Sequence, residues 1–553
     1  MKSSFKIFAA CSVMMLGLNS CDLTGLNDNP NQPTDDVDYN MNEPRLASTL
    51  RGGMIIDGNI EQRLKALQID FYSQMVVDGS GKWKTRNYDT DDGWNTGAWQ
   101  QYLKEIASLN IVIRSLQSKE GDFVNAIALA RVWRVYVHSL ASDKFGPMPF
   151  PKYTEVEANP PYKTMQEIYT EYFTELGEAI DEFDPSAKPI FSQSNIDLVY
   201  KNDVTRWQKF ANSLRLRLAV RLSEVDKATC IAEAKKSIEA PCGLISSKAE
   251  NAYMPPKADG SWGQNYNYCM FQIDWGGPMN MSKTVEKLLT NIGGIAFPEG
   301  VINKSSGKAL AKHPAKVDPR GPIMFMPGYD SGDWAGKRFG CHRDDFNTGE
   351  FVSKNFAELG YIVKADGSKY VERPYDFFLA EEVHFLKAEL YARGFINGDA
   401  KGEYEAGVRA SFESWGVADQ ATEYLASTEK NEAGTSANFD DQQGAGNTAL
   451  EKIITQKYIA GIPDLAQEGW NDKRRLNLPR MDVGVYREPS AGYDNNDVDF
   501  KKPQNFIKRM KYPVQESLVN KDEYNKAVQM LGADQVNANL WWDKNANYCT
   551  SEK

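Results

Sequence analysis

From residue 43 onward the chain is written largely in helical rhythm. Apolar side chains recur three and four positions apart at 46–56, 60–77, 99–116, 123–140, 165–183 and 204–222, and again at 377–391, 405–415 and 450–470. Such spacing sets an apolar stripe along one side of a helix, and the stripe must be buried. In 204–222 the stripe is Trp207, Phe210, Leu214, Leu218 and Leu222; in 377–391 it is Leu379, Val383, Leu386 and Leu390. In 123–140 the apolar positions Ile127, Leu129, Val132, Trp133, Tyr136, Val137 and Leu140 spread around most of the circumference, which predicts a central helix buried on nearly every side. Short connections between neighbours predict antiparallel helical hairpins. No self-similarity at about 34 residues is visible, so the rhythm yields hairpins without a tetratricopeptide array.

Two stretches break the rhythm. The first is the start of the chain. Lys2 and Lys6 precede Ile7, Phe8, Ala9, Ala10, Val13, Met14, Met15 and Leu16, an apolar core of about ten residues in the order of a secretory signal. A membrane-spanning helix needs about twenty. Leu18-Asn19-Ser20-Cys21 closes the segment and resembles the bacterial lipoprotein signal, which implies removal of residues 1–20 and acylation of Cys21 as a lipid anchor. Buried acyl chains contribute about 0.8 kcal/mol per methylene, enough for stable attachment when several are present. The alternative is an ordinary secretory signal followed by an incidental cysteine. Residues 22–42 are polar and turn-rich and read as a tether, reaching roughly 25 Å if flexible.

The second break is 241–360, dense in Gly and Pro, where only 283–291 carries a helical pattern. Long irregular stretches inside compact proteins are often functional. This one holds Trp262, Tyr266, Tyr268, Trp275, Tyr329 and Trp334, and a ligand surface is expected here.

Charge and chemistry narrow the function. The net charge of −11 argues against nucleic acid and against charge-driven binding to anionic lipid. Leaving aside Cys11 in the leader and Cys21, the cysteines are Cys230, Cys242, Cys269, Cys341 and Cys549, an odd number without a CxxC pair, so no disulfide framework is implied. There is no HExxH, GxSxG, P-loop or dinucleotide signature in a supporting context. Of the four histidines, His138 sits in the buried-type helix, where a hydrogen-bonded core role is expected, and Cys341-His342 lacks a second pair at metal-ligand spacing. Glu381, Glu382 and Glu389 crowd one helix. A glycosidase acid/base pair is one reading and a polar helix face is the other. The run from Asp494 to Asp499 has the flavour of a calcium loop but lacks its glycine and distal glutamate. It reads as a solvated turn, so no cofactor is expected, with a structural calcium ion as the alternative.

Several local stretches, in order, resemble the SusD/RagB family of outer-membrane lipoproteins. They are Phe145-Gly146-Pro147-Met148-Pro149; Arg206-Trp207 with the run from Lys209 to Arg217; Asp318-Pro319-Arg320; Ala380-Glu381-Glu382-Val383 through Lys387-Ala388-Glu389; Gly469-Trp470-Asn471-Asp472 with Arg474-Arg475; and Tyr512-Pro513 with Glu516 and Asn520. The arginine that precedes this Trp in the family pattern is absent, which places the chain nearer a divergent SusD-like branch. The resemblance runs from Cys21 to about residue 530 and implies a mostly α fold, in which TPR-like helical hairpins pack against an irregular, loop-rich half. It implies one body over 43–553, with a helical scaffold at 43–240 and 370–480 and a loop-rich ligand region at 241–369. It also implies a non-catalytic, cell-surface lipoprotein of the outer membrane that captures glycans, or in some members peptides, and hands them to a SusC-like TonB-dependent transporter barrel. Two other classes stay open, a surface glycoside hydrolase and an adhesin or scaffold.

Sugar rings have flat apolar faces that stack on Trp and Tyr, while a few polar groups fix their hydroxyls. The polar, Gly-rich run 79–97 holds Trp83, Tyr88 and Trp94 in an expected surface loop, with covering of helix ends as the alternative role. From the middle of the chain, Trp275, Tyr329 and Trp334 are added as platforms, with Asn265, Asp333 and Arg338 as hydroxyl partners.

Overall fold

The computed structural model describes residues 40–56, 58–79, 83, 85, 88, 90–119, 121–154, 159–256, 279–340, 348, 351–367, 373–482 and 506–544. The helices follow the rhythm closely. In chain order they are α1 (Asn42–Gly52), α2 (Gly58–Glu61, continued by a π-helical run Gln62–Ile69 and by Asp70–Tyr72), α3 (Asp92–Gln117), α4 (Val124–Phe145), α5 (Met165–Glu182), α6 (Val204–Arg221) and α7 (Lys227–Glu239). After the irregular middle, which contains α8 (Lys283–Leu289), come α9 (Ala380–Ala392), α10 (Ala400–Ser414), α11 (Ala421–Ala426), α12 (Ala449–Ala460), α13 (Ala466–Leu476), α14 (Val514–Val519) and α15 (Lys521–Leu531).

Local chemistry sets the ends. Thr164 and Glu167 form a reciprocal capping box at the start of α5, and Asp91, Asp203 and Asp399 cap α3, α6 and α10 with their carboxylates. The rhythm at 450–470 predicts one helix. Two are found, because Pro463 has no N–H to continue α12. Helix α7 is not anticipated, since its buried side is Cys230, Glu233, Ala234 and Ser237, too small and polar to register as an apolar stripe.

Successive helices pack as hairpins: α3 on α4, α4 on α5, α6 on α7 and α9 on α10, with α12 against α9. The architecture is mostly α, with TPR-like pairs packed against irregular structure. Helix α4 is buried nearly all round, as its pattern predicts. Between it, α6 and a short strand lies an aromatic core in which Trp133, Tyr136, Trp207, Phe210 and Phe377 meet with ring centroids 4.8–6.2 Å apart. Gly146 ends α4 at φ 96°, where a Cβ would press to 3.1 Å from the Leu540 side chain.

The irregular half is held by very short strands. β1 (Val76–Val77), β5 (Asn280–Met281), β7 (Glu358–Leu359) and β6 (Phe325–Met326) form one antiparallel sheet in that spatial order. β2 (Met148–Pro149) pairs with β3 (Tyr162–Lys163), and β4 (Ala252–Met254) with β8 (Tyr375–Phe378).

Buried ion pairs join the helices before and after the irregular middle. Arg217 on α6 binds Glu382 on α9 at 2.5 Å, Arg221 binds Glu468 on α13 at 2.6 Å, and Arg475 binds Glu389 at 2.5 Å and Asp472 at 2.9 Å. Burial opposes ionisation of Glu468, but the adjoining Arg221, Arg217 and Lys457 overcome it and hold the carboxyl down at about 2. Asp318 and Arg320 pair with no exposure at all and fasten the middle of the chain to Ser411 on α10, Tyr424 on α11 and Gln456 on α12. The acidic helix therefore differs from the solvated polar face expected of it. Glu381, Glu382 and Glu389 point inward, where Glu382 and Glu389 neutralise arginines from other helices. His138 is a core histidine, its Nε2 3.0 Å from the Pro149 carbonyl and its Nδ1 against the Tyr172 hydroxyl. Burial pushes its pKa down to about 3.

Candidate ligand-binding surface

Asp91 opens α3 by accepting a hydrogen bond from the Trp94 N–H at 3.1 Å, and this places the Trp94 indole in the first helical turn. Trp94 thus belongs to a helix and not to the expected loop. Trp83 comes back against it. The ring centroids are 5.4 Å apart at 57°, a favourable tilted pair, and both rings are half-buried. The C-terminal part of the chain braces this turn: Asp92 accepts from the Val514 N–H at 2.8 Å, and Asn95 donates to the Lys511 carbonyl at 3.2 Å. The other amide atom of Asn95, its buried Oδ1, makes no hydrogen bond within the described residues.

Tyr88 is 3% exposed, and its ring meets Tyr72, Phe339 and Phe506 with centroids 6.0, 4.8 and 5.3 Å away. The expectation of an exposed ring is corrected for Tyr88, which is a core residue. Its backbone is left-handed, φ 61°, an uncommon conformation for a bulky side chain. Phe339 carries the packing to its neighbour Arg338, which is exposed and 3.8 Å from Asp482. Lys337, one residue earlier, donates to the Asp78 carbonyl at 3.1 Å. The 83–94 run and the 337–339 run are thus one neighbourhood.

Tyr329 and Asp333 sit elsewhere. Their turn follows β6, whereas the tryptophan run follows β1, and these strands are the two edges of the four-stranded sheet. Three strand spacings of about 4.8 Å separate the edges by about 14 Å. Tyr329 is 37% exposed with the Lys354 ammonium 4.8 Å from its ring centroid, and Asp333 is half-buried and 3.8 Å from Lys312. Trp334 is 1% exposed, donates its indole N–H to the Phe325 carbonyl at 3.0 Å, and packs on Phe297. It is corrected from platform to core, because both its faces and its donor are used internally. Asn265 and Trp275 lie outside the described residues, as do Cys21, Cys341-His342 and the run from Asp494 to Asp499.

Sequence reasoning missed Asn95 and Lys354. Neither an Asn in a helical turn nor a Lys at a turn carries a signal without the fold. Among the described residues no group of three or more His, Cys, Asp or Glu could hold a metal ion, and no helix is long and apolar enough to cross a membrane. Cys230 and Cys242 are free thiols.

Residues 46–293 match a family model described as starch-binding associating with outer membrane, and residues 317–543 match that of the SusD and RagB outer membrane lipoproteins. Solved structures agree. A SusD homolog from Parabacteroides distasonis is 68% identical with a TM-score of 0.88, covering 93% of this chain and 100% of that one. A SusD homolog from Bacteroides vulgatus is 25% identical, TM-score 0.73, with 92% and 98% covered. A chitin-binding SusD homolog from Flavobacterium johnsoniae is 24% identical, TM-score 0.70, with 91% and 99% covered, a likeness of fold. No curated protein matches the chain.

Proposed function

The chain belongs to the SusD/RagB family of outer-membrane lipoproteins, and from that premise we propose that it captures oligosaccharides at the cell surface and passes them, uncleaved, to a SusC-like TonB-dependent transporter barrel. The observation that carries this reading is the Trp83–Trp94 pair, two half-exposed indoles held together in the first turn of α3, with the exposed Arg338 next in sequence to the Phe339 that packs on Tyr88. Paired indoles offer apolar area to a sugar ring at little entropic cost, and Arg338 supplies donors for hydroxyls. Tyr329, with Lys354 above it and Asp333 in the same turn, offers a second exposed ring on a different part of the irregular half. That Glu382 and Glu389 are already neutralised by Arg217 and Arg475 supports a binding role over hydrolysis. Attachment through acylated Cys21 fits the family and the apolar leader before it.

The test is calorimetric titration with a panel of oligosaccharides and a few peptides, comparing wild type with Trp83→Ala and Trp94→Ala. We expect saturable sugar binding that weakens about tenfold or more in each variant, with the recovered sugar intact. Peptide binding in place of sugar would change the cargo and keep the fold, and cleavage of the sugar would reject the non-catalytic reading.

A further inference from the structure

A different part of the molecule carries a cleft of about 310 Å³, at the low end of the range for small-molecule sites. Its walls are two helices. Gln166, Thr170 and Thr174 stand four residues apart along α5, and Thr229, Glu233 and Lys236 line the facing side of α7. The floor includes Tyr169, Phe173 and Leu222, and Trp541 from the C-terminal segment closes one end.

The chemistry of this lining is selective. Trp541 is half-buried, so part of its indole faces the cleft, while Tyr169 holds the ring from behind at 6.2 Å between centroids. The charged groups are already paired: Glu233 binds Arg215 at 2.6 Å and Lys236 at 2.7 Å, and Asp226 is occupied in capping α7. Thr170 and Thr174 donate to carbonyls one turn back, at 2.9 and 3.1 Å, and so present acceptor lone pairs outward. The lining therefore combines an indole surface with uncharged acceptors and the exposed amide of Gln166, and no unpaired charge that would select an ion. A flat ring with apolar faces and hydroxyl edges satisfies every part of it. We propose that this cleft is a second carbohydrate site, taking one ring or one end of a neutral oligosaccharide, built from elements other than those of the Trp83–Trp94 surface.

The experiment uses the whole protein and four neutral probes, maltohexaose, cellohexaose, chitohexaose and xylohexaose, titrated up to ~10 mM so that an affinity of about 1 mM is seen. The background is the Trp83→Ala/Trp94→Ala double variant, which silences the surface proposed above. We expect it to retain one saturable site for at least one probe. Adding Thr170→Arg, at an exposed position that fills the cleft without touching the core, should weaken that site at least about tenfold, and Trp541→Ala should do the same. Retained binding that both changes leave unaltered would overturn the proposal. So would a double variant that binds none of the probes, whether or not wild type binds. If wild type and the double variant bind alike and only the cleft variants lose affinity, the cleft stands and the Trp83–Trp94 reading fails.

Discussion

Glu358 stands in the inner strand β7 with 8% of its surface exposed, accepting a hydrogen bond from Asn303 Nδ2 at 2.6 Å. Burial pushes its carboxyl up to about 7, against 4.5 for an ordinary glutamate. Between these values the unfolded chain has lost the proton that the folded one keeps. The contribution of this group is therefore fully present below 4.5, falls as the pH rises, and is gone above 7. Glu358→Gln keeps the acceptor and removes the titration. We expect it to gain on wild type by up to about 3 kcal/mol between pH 4.5 and just above 7, read from urea unfolding midpoints. Trp334 and Tyr88 teach the complementary lesson at this scale. Both belong to Gly-rich, polar stretches, the surroundings that predict exposure, yet each ring is covered by residues distant in sequence: Phe297 for Trp334, and Phe339 with Phe506 for Tyr88. Trp83 and Trp94 come from the same kind of stretch and remain half-exposed. Composition could not tell these rings apart, because only tertiary packing sets two of them in the core and leaves two half-exposed.

At the scale of elements, the helices that were visible beforehand are those whose buried side is large and apolar. α5 and α6 matched within a residue or two, while α7 and α15 were invisible: α7 buries small and polar groups, and α15 buries only Ala527. The motifs that carried the family resemblance prove to be the clamps between elements. Arg217 and Glu382, Arg475 and Glu389, and Asp318 and Arg320 each tie together parts of the chain that hydrophobic stripes alone would leave free to slide. Removing one partner leaves a buried, uncompensated charge. We expect Arg217→Met to cost about 3–5 kcal/mol in chemical denaturation, and the double change Arg217→Met/Glu382→Leu to cost clearly less, because the orphaned carboxylate is gone. A double variant as damaged as the single would show that the pair acts through shape and not charge.

For the molecule as a whole, the class of fold and the order of its parts were legible, because helical periodicity and the clamp motifs are local signals. The irregular half was legible only as an interruption: its strands are two to four residues long and carry no period to read. On the proposed arrangement the body hangs from Cys21 by its tether. Cys21→Ser should then move the protein from the membrane fraction to the soluble one on cell fractionation without altering its unfolding midpoint. A variant that stays with the membrane would mean that contacts of the folded body suffice for attachment.

The fully buried Trp542 donates its indole N–H to Asp143 at 3.1 Å across a separation of 399 residues, in the same region where Arg509 grips the Phe145 carbonyl and Leu540 closes over Gly146. The carboxyl of Asp143 and the C-terminal end of α4 are therefore completed by residues 364 to 399 positions further along the chain. Until those residues arrive, the central helix has an open flank and a polar group without its indole partner. The core at this end of the central helix is therefore complete only when a segment from the far side of the sequence has docked.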